Sequence, residues 1–150
     1  MTDEGHSHPS TSERATLLMR GVAASLTGDS SVIAELYTDD VKARALGAEV
    51  SSAAELAIEL EDRDAPFSDV ELVFGPLEVG GDQACVEWQM TGTHSGALVL
   101  TDGVCIDATG VRLTMHGVTV AEFTGERIRS FRQYWDDAEL LAQLGVIPRT

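Results

Sequence analysis

The sequence predicts an α+β fold: a cone built from a curved antiparallel sheet with N-terminal helices packed on its concave face. Three observations predict it. Apolar residues recur at helical spacing as far as Leu60; from Asp69 onward they alternate with polar ones, as in half-buried strands; and a last helical stripe, Leu140, Leu141 and Leu144, closes the chain. Helices first and strands after is the order of an α+β domain, not the βαβ alternation of a parallel sheet. In such a cone the concave face and the helices enclose a pocket, and the outer face is free for a partner subunit.

The 150 residues suit one domain with a sizeable core. Residues 1–12, which include His6 and His8, read as a disordered polar tail, and residues 13–150 as the single domain. The first helix places Ala15, Leu18, Met19, Val22, Ala23 and Leu26 on one face, with Ser10 and Glu13 as a capping box and Gly28 as its stop. A shorter helix over 31–37 carries Val32, Ile33, Leu36 and Tyr37 on one side and ends at Thr38-Asp39-Asp40. A third starts at Ser52, with Glu55 three residues on and Leu56, Ala57 and Leu60 as its apolar side, and Pro66 ends it.

The strands follow. Val70, Leu72 and Phe74 share a face before Gly75-Pro76 interrupts, and Gly80-Gly81-Asp82 turns the chain. Over 84–93, Cys85, Glu87, Gln89 and Thr91 oppose Val86, Trp88, Met90 and Gly92. Leu98 to Leu100 is a further strand candidate, and the segment between the turns at 101–103 and 108–110 is either a short strand or a mobile loop. Residues 111–123 and 127–135 form a hairpin about Thr124-Gly125-Glu126. Asp136, three residues before Glu139, then caps a closing helix that Gly145 and Pro148 end.

A formal net charge of −15 opposes binding to nucleic acid or an anionic membrane, because the phosphate term is repulsive over most of the surface. No apolar run is long enough to span a bilayer, and the acidic, polar start lacks the basic and apolar regions of a signal peptide, so a cytoplasmic protein is expected. Cys85 and Cys105 show no CxxC spacing and read as reduced, buried thiols. No His, Cys or carboxylate spacing points to a metal, and no cofactor motif is present.

Several short stretches carry a family resemblance. They are Val86 to Gly96 (VEWQMTGTHSG), Ala108-Thr109-Gly110, Gly117-Val118-Thr119-Val120, Gly125-Glu126-Arg127-Ile128, Tyr134-Trp135-Asp136, and the Leu140-Leu141 and Gln143-Leu144-Gly145 steps. With these the chain resembles the SnoaL-like polyketide cyclases of the nuclear transport factor 2-like superfamily, from about Ala15 to Gly145. The resemblance implies the cystatin-like α+β barrel. It does not name one reaction, because this cone hosts aldol cyclases, epoxide hydrolases, ketosteroid isomerases, pericyclic cyclases and proteins without catalysis.

Strand parity sorts the chemistry. Trp88 and Met90 are expected inside, with His94 on the same face; Phe131, Gln133 and Trp135 form the inner side of the last strand, and Thr119 that of the strand before it. Epoxide-hydrolase-like members activate water with an Asp-Arg-Asp group at positions that here read Trp88, Met90 and Gln133. Isomerase-like members need a base near Ala45 and an acidic donor near Thr119, and neither carboxyl group is present. What remains is a pocket of Tyr37, Trp88, Met90, Thr119, Phe131, Gln133 and Trp135, suited to a bulky, largely apolar small molecule. The expectation is a cofactor-independent cyclase that folds a polyketide-type intermediate for ring closure, of aldol or pericyclic type. The alternatives are a non-catalytic small-molecule-binding or dimerisation module and, more weakly, an isomerase or epoxide hydrolase with a rearranged site.

Two residues are candidate catalysts. His94 could polarise a carbonyl, against the blander reading of a satisfied structural histidine at a strand end. Asp136 is the nearest match to the acid/base carboxylate of the family's aldol cyclases, against its reading as a helix cap, which the Glu139 spacing favours. His116 falls on the opposite parity from Thr119, at the outer face. That face, with Val118 and Val120, predicts a homodimer, as is usual in the proteins this chain resembles.

Overall fold

A computed structural model describes residues 11–45, 48–61, 66–77, 79–100 and 103–145. In chain order these form α1 (Thr11–Thr27), a 3-10 turn (Ser30–Val32) running into α2 (Ile33–Leu36), β1 (Tyr37–Ala45), β2 (Ala48–Val50), α3 (Ala53–Glu61), β3 (Phe67–Leu77), β4 (Gln83–His94), β5 (Leu98–Val99), β6 (Cys105–Ile106), β7 (Arg112–Thr124), β8 (Arg127–Trp135) and α4 (Asp137–Gln143). The class is the expected α+β. A curved six-stranded sheet runs β2-β1-β8-β7-β4-β3, with β5 and β6 as a separate pair.

The amphipathic helices form for the reasons the sequence shows. In α1, Ala15, Leu18, Val22 and Leu26 are buried one or two turns apart and pack toward β3, β4 and β7. The helix begins at Thr11, inside the expected tail; Ser10, His6 and His8 lie outside the described residues. Gly28, at φ 77°, adopts the left-handed conformation that ends it. Asp29 then accepts hydrogen bonds from the Ser31 N–H (2.9 Å) and hydroxyl (2.6 Å), which also hold its carboxyl below the usual carboxylate range. α3 is capped reciprocally: the Glu55 N–H donates to Ser52 Oγ (3.1 Å) and the Ser51 N–H to the Glu55 carboxylate (2.8 Å).

Three expectations need correction. The 31–37 helix stops at Leu36, and Tyr37 opens β1, which pairs in parallel with β8 and makes the sheet mixed. Gly75-Pro76 does not interrupt β3: Pro76 sits opposite Val86 on an edge strand, where a missing N–H costs no ladder bond. Cys105, expected as a buried thiol, is exposed on β6, the short strand paired with β5 that one of the two readings of the 103–110 segment foresaw.

Parity holds on the long strands. Val86, Trp88, Met90 and His94 of β4 and Leu113, Met115, Thr119, Ala121 and Phe123 of β7 are buried on one face. On β8 the buried set is Ile128, Phe131 and Gln133, and its odd first step follows a register shift at Glu122/Phe123. No helix among the described residues is long and apolar enough to cross a membrane.

Candidate functional site

Strand register brings three expected pocket residues together. Val86 of β4 lies opposite Thr119 of β7, and Thr119 opposite Gln133 of β8, while Trp88 lies one inward step along β4. Their side chains form a directed chain. An indole N–H can only donate, and Trp88 Nε1 donates to Thr119 Oγ1 (3.0 Å). Thr119 therefore passes its own hydrogen to Gln133 Oε1 (3.2 Å), which turns the Gln133 amide nitrogen toward Ser25 Oγ (3.4 Å); Ser25 donates onward to the Val22 carbonyl of α1 (2.9 Å). All four side chains are buried. The chain ties the sheet's concave face to the helix above it, with every polar group answered.

Gly117 makes room for this arrangement. It lies opposite Trp88 in register, and a Cβ there would strike the indole ring. Met90 and Phe131 are buried beside the chain. Tyr37 packs its ring on Phe131 (centroids 5.5 Å apart) and is 3% exposed; desolvation pushes its phenol up, so it is a neutral group and no base. Its hydroxyl fits because residue 21 is glycine: an added Cβ would sit 2.6 Å from it.

His94 is fully buried at the far end of β4. Its ring faces Phe67 of β3 (centroids 6.2 Å apart), and its backbone is gripped by the loop before β7: the His94 N–H donates to the Val111 carbonyl (2.9 Å) and the Gly110 N–H to the His94 carbonyl (2.8 Å). Nδ1 contacts Thr109 Oγ1 (2.9 Å) and the Thr109 N–H (3.3 Å). Nε2 has no hydrogen-bond partner among the described residues.

The other candidates lie elsewhere. Asp136 is exposed and caps α4, its Oδ1 accepting the Glu139 N–H at 3.0 Å. It is level with His116, to whose carbonyl its own N–H donates, and His116 is in register with Gln89. His94 is five residues further along β4, roughly 17 Å at strand rise. His94 and Asp136 therefore cannot act on one bond from these positions. Trp135, expected with the inner group, is half-buried; its indole N–H donates to Asp137, and it borders a depression of about 310 Å³ shared with Glu87, His116, Val118 and Tyr134.

Two participants escape sequence reasoning. Ser25 was hidden because its partner is 108 residues away, although its place beside Leu26 on the buried side of α1 was a signal. Thr109 stood in a turn-like Ala108-Thr109-Gly110 step whose meaning depends on His94 being folded against it. Among the described residues no group of three or more His, Cys, Asp or Glu side chains is placed to hold a metal ion, and no carboxylate is among the buried polar groups.

With this geometry in place, the sequence model of the SnoaL-like polyketide cyclase family matches residues 16–144. The chain belongs to that family. Solved structures of the same fold include TsrD from Streptomyces laurentii (18% identity, TM-score 0.74, covering 93% of this chain and 100% of that one). AclR from Streptomyces galilaeus, a candidate hydroxylase, matches at 26% identity and TM-score 0.68 over 94% of this chain and 86% of that one. An M. tuberculosis LEH-like epoxide hydrolase matches at 17% identity and TM-score 0.65 over 91% and 92%. No curated protein matches. In this SnoaL-like chain, two positions that the resemblance assigns to a water-activating group are Trp88 and Gln133, joined through Thr119 into one hydrogen-bonded chain.

Proposed function

We propose that this SnoaL-like protein is a cofactor-independent cyclase that folds a bulky, largely apolar polyketide-type intermediate for intramolecular ring closure. The observation that carries the reading is the character of the buried face: Trp88, Met90, Phe131 and Tyr37 with, among the described residues, four polar side chains, Ser25, His94, Thr119 and Gln133, and no carboxylate. Such a surface favours shape and orientation over proton abstraction, and holding two reacting ends in contact removes several kcal/mol of entropic barrier. Family membership supports the same class.

The test is incubation of the purified protein with linear and partly cyclised poly-β-ketones, with products separated by mass spectrometry. A changed product ratio, lost in His94→Ala while the variant stays folded, is the expected result. Tight binding without any change in products would support the second reading, a non-catalytic binding module. The observation favouring that module is that Trp88, Thr119, Gln133 and Ser25 answer one another, as core groups do.

The outer sheet face supports a homodimer as part of the same proposal. Val73 is 64% and Tyr134 48% exposed there, with Val118 between them on β7. Burying this face against a second copy would remove that apolar surface from water.

A further inference from the structure

The Thr109 step has no role in the reading above, yet it decides the state of His94. A backbone N–H can only donate, so the Thr109 N–H marks Nδ1 as an acceptor. With Nδ1 fixed as an acceptor, the Thr109 hydroxyl, which itself receives the Val111 N–H at 3.3 Å, can only donate its hydrogen to the same Nδ1. Both donors require Nδ1 to be unprotonated, and a neutral imidazole then carries its hydrogen on Nε2. That atom is buried and without a partner among the described residues, although a buried donor left unanswered is costly.

We infer that His94 is a fixed hydrogen-bond donor for a carbonyl or enolate oxygen of the bound molecule, and that Thr109 is the positioning residue that holds it so. Ser25, Thr119 and Gln133 are engaged with one another, whereas Nε2 is uncommitted among the described residues. A neutral N–H whose surroundings hold no buried carboxylate among the described residues suits an acceptor that is itself neutral, or one that gains negative charge as the reaction proceeds. A ketone passing to its enolate does both. The assignment makes His94 a donor to oxygen and excludes it as the base. It rests on the small-molecule reading for the site and on the hydrogen bonds alone for the ring state.

Long-range proton–nitrogen NMR on the intact protein reads that state, with His94→Gln assigning the ring among the four histidines. The expected spectrum shows Nδ1 unprotonated and Nε2 protonated at neutral pH. Fluorenone should shift the Nε2 signal and bind about tenfold more tightly than its hydrocarbon parent fluorene. Thr109→Val, which keeps the backbone N–H and loses the hydroxyl, should admit the second tautomer and narrow that preference, while Thr109→Ser should retain both. A ring protonated on Nδ1 overturns the inference. So does equal affinity for the two probes, binding of neither, or a Thr109→Val protein unchanged in both readouts. A protein that passes these tests and converts no poly-β-ketone keeps the donor assignment and loses the cyclase.

Discussion

Gly117 lacks a side chain because the Trp88 indole occupies the space one would fill, and the Trp88–Thr119–Gln133–Ser25 chain begins from that ring position. Gly117→Ala should therefore push the indole off Thr119 and destabilise the fold by about 1–3 kcal/mol, the range for overpacking a tight core, read by denaturant unfolding with Trp fluorescence. Asp136 separates capping from catalysis more directly. Asp136→Ala should cost about 0.5–2 kcal/mol, while Asp136→Asn, an equally good cap that cannot exchange a proton, should restore stability. On the cap reading the Asn variant keeps its activity; a loss on the order of 10²-fold at full stability would show a carboxyl group at work. Much at this scale was legible. Parity alone put Trp88, Met90, Thr119, Phe131 and Gln133 on one face, and the Asp136–Glu139 spacing announced the cap. Thr109 and Ser25 were not legible, because a hydroxyl shows no periodicity and its meaning comes from a partner that only the tertiary fold supplies.

The elements show where local pattern fails. β1 escaped notice because Asp39 and Asp40 are poor strand formers and Tyr37 completes the apolar side of the preceding helix; what makes this segment a strand is the ladder offered by β8. Proline at Pro76 read as a break because sequence cannot say that β3 is an edge. α4, whose stripe was plain, has a second role. β8 ends at Trp135, opposite Gly117, so the start of β7 loses its partner strand. Side chains of α4 take over: the Gln143 amide donates to the Thr114 carbonyl (2.6 Å) and accepts the Thr114 N–H (2.8 Å), and Glu139 accepts the His116 N–H (3.0 Å). An amide has the same donor and acceptor as a peptide group, so Gln143 substitutes for one residue of a strand. Gln143→Ala should leave both Thr114 groups unanswered at a cost of about 1–3 kcal/mol, with faster amide exchange at Thr114 and little change at Thr119. The turn after α1 predicts an acid response. Asp29 is held below its ordinary value of 3.8, so its contribution is complete above that pH and fades as pH falls through the lower folded value. In Asp29→Asn the acid-side decline in stability should be shallower by that share, measured as thermal midpoint against pH.

The whole molecule carries a net charge of −15, yet its outer face is not uniformly acidic. On the β1–β8 side, Lys42, Arg44 and Arg132 gather around a depression of about 280 Å³, with Glu49 paired to Arg44 at 3.5 Å and Glu122 bonded to Ser130. Glu71 and Glu87 face outward on the opposite side, on β3 and β4, near exposed Val73 and Leu77. A two-fold axis running along the strands between these halves would lay a second copy face to face with its strand order reversed. The cations of one copy then meet the acids of the other, and Val73, Val118 and Tyr134 are covered. This arrangement predicts two behaviours that a purely apolar contact would not share. Light scattering should give twice the chain mass at low salt, with dissociation favoured as salt shortens the screening length from about 10 Å at 0.1 M to about 3 Å at 1 M. Arg132→Glu should weaken the dimer, and Glu87→Arg added to it should recover part of the loss, because the swap restores opposite charges across the axis. A monomer at every salt concentration removes the dimer. A dimer indifferent to salt and to both substitutions leaves the apolar contact and removes the charge pairing.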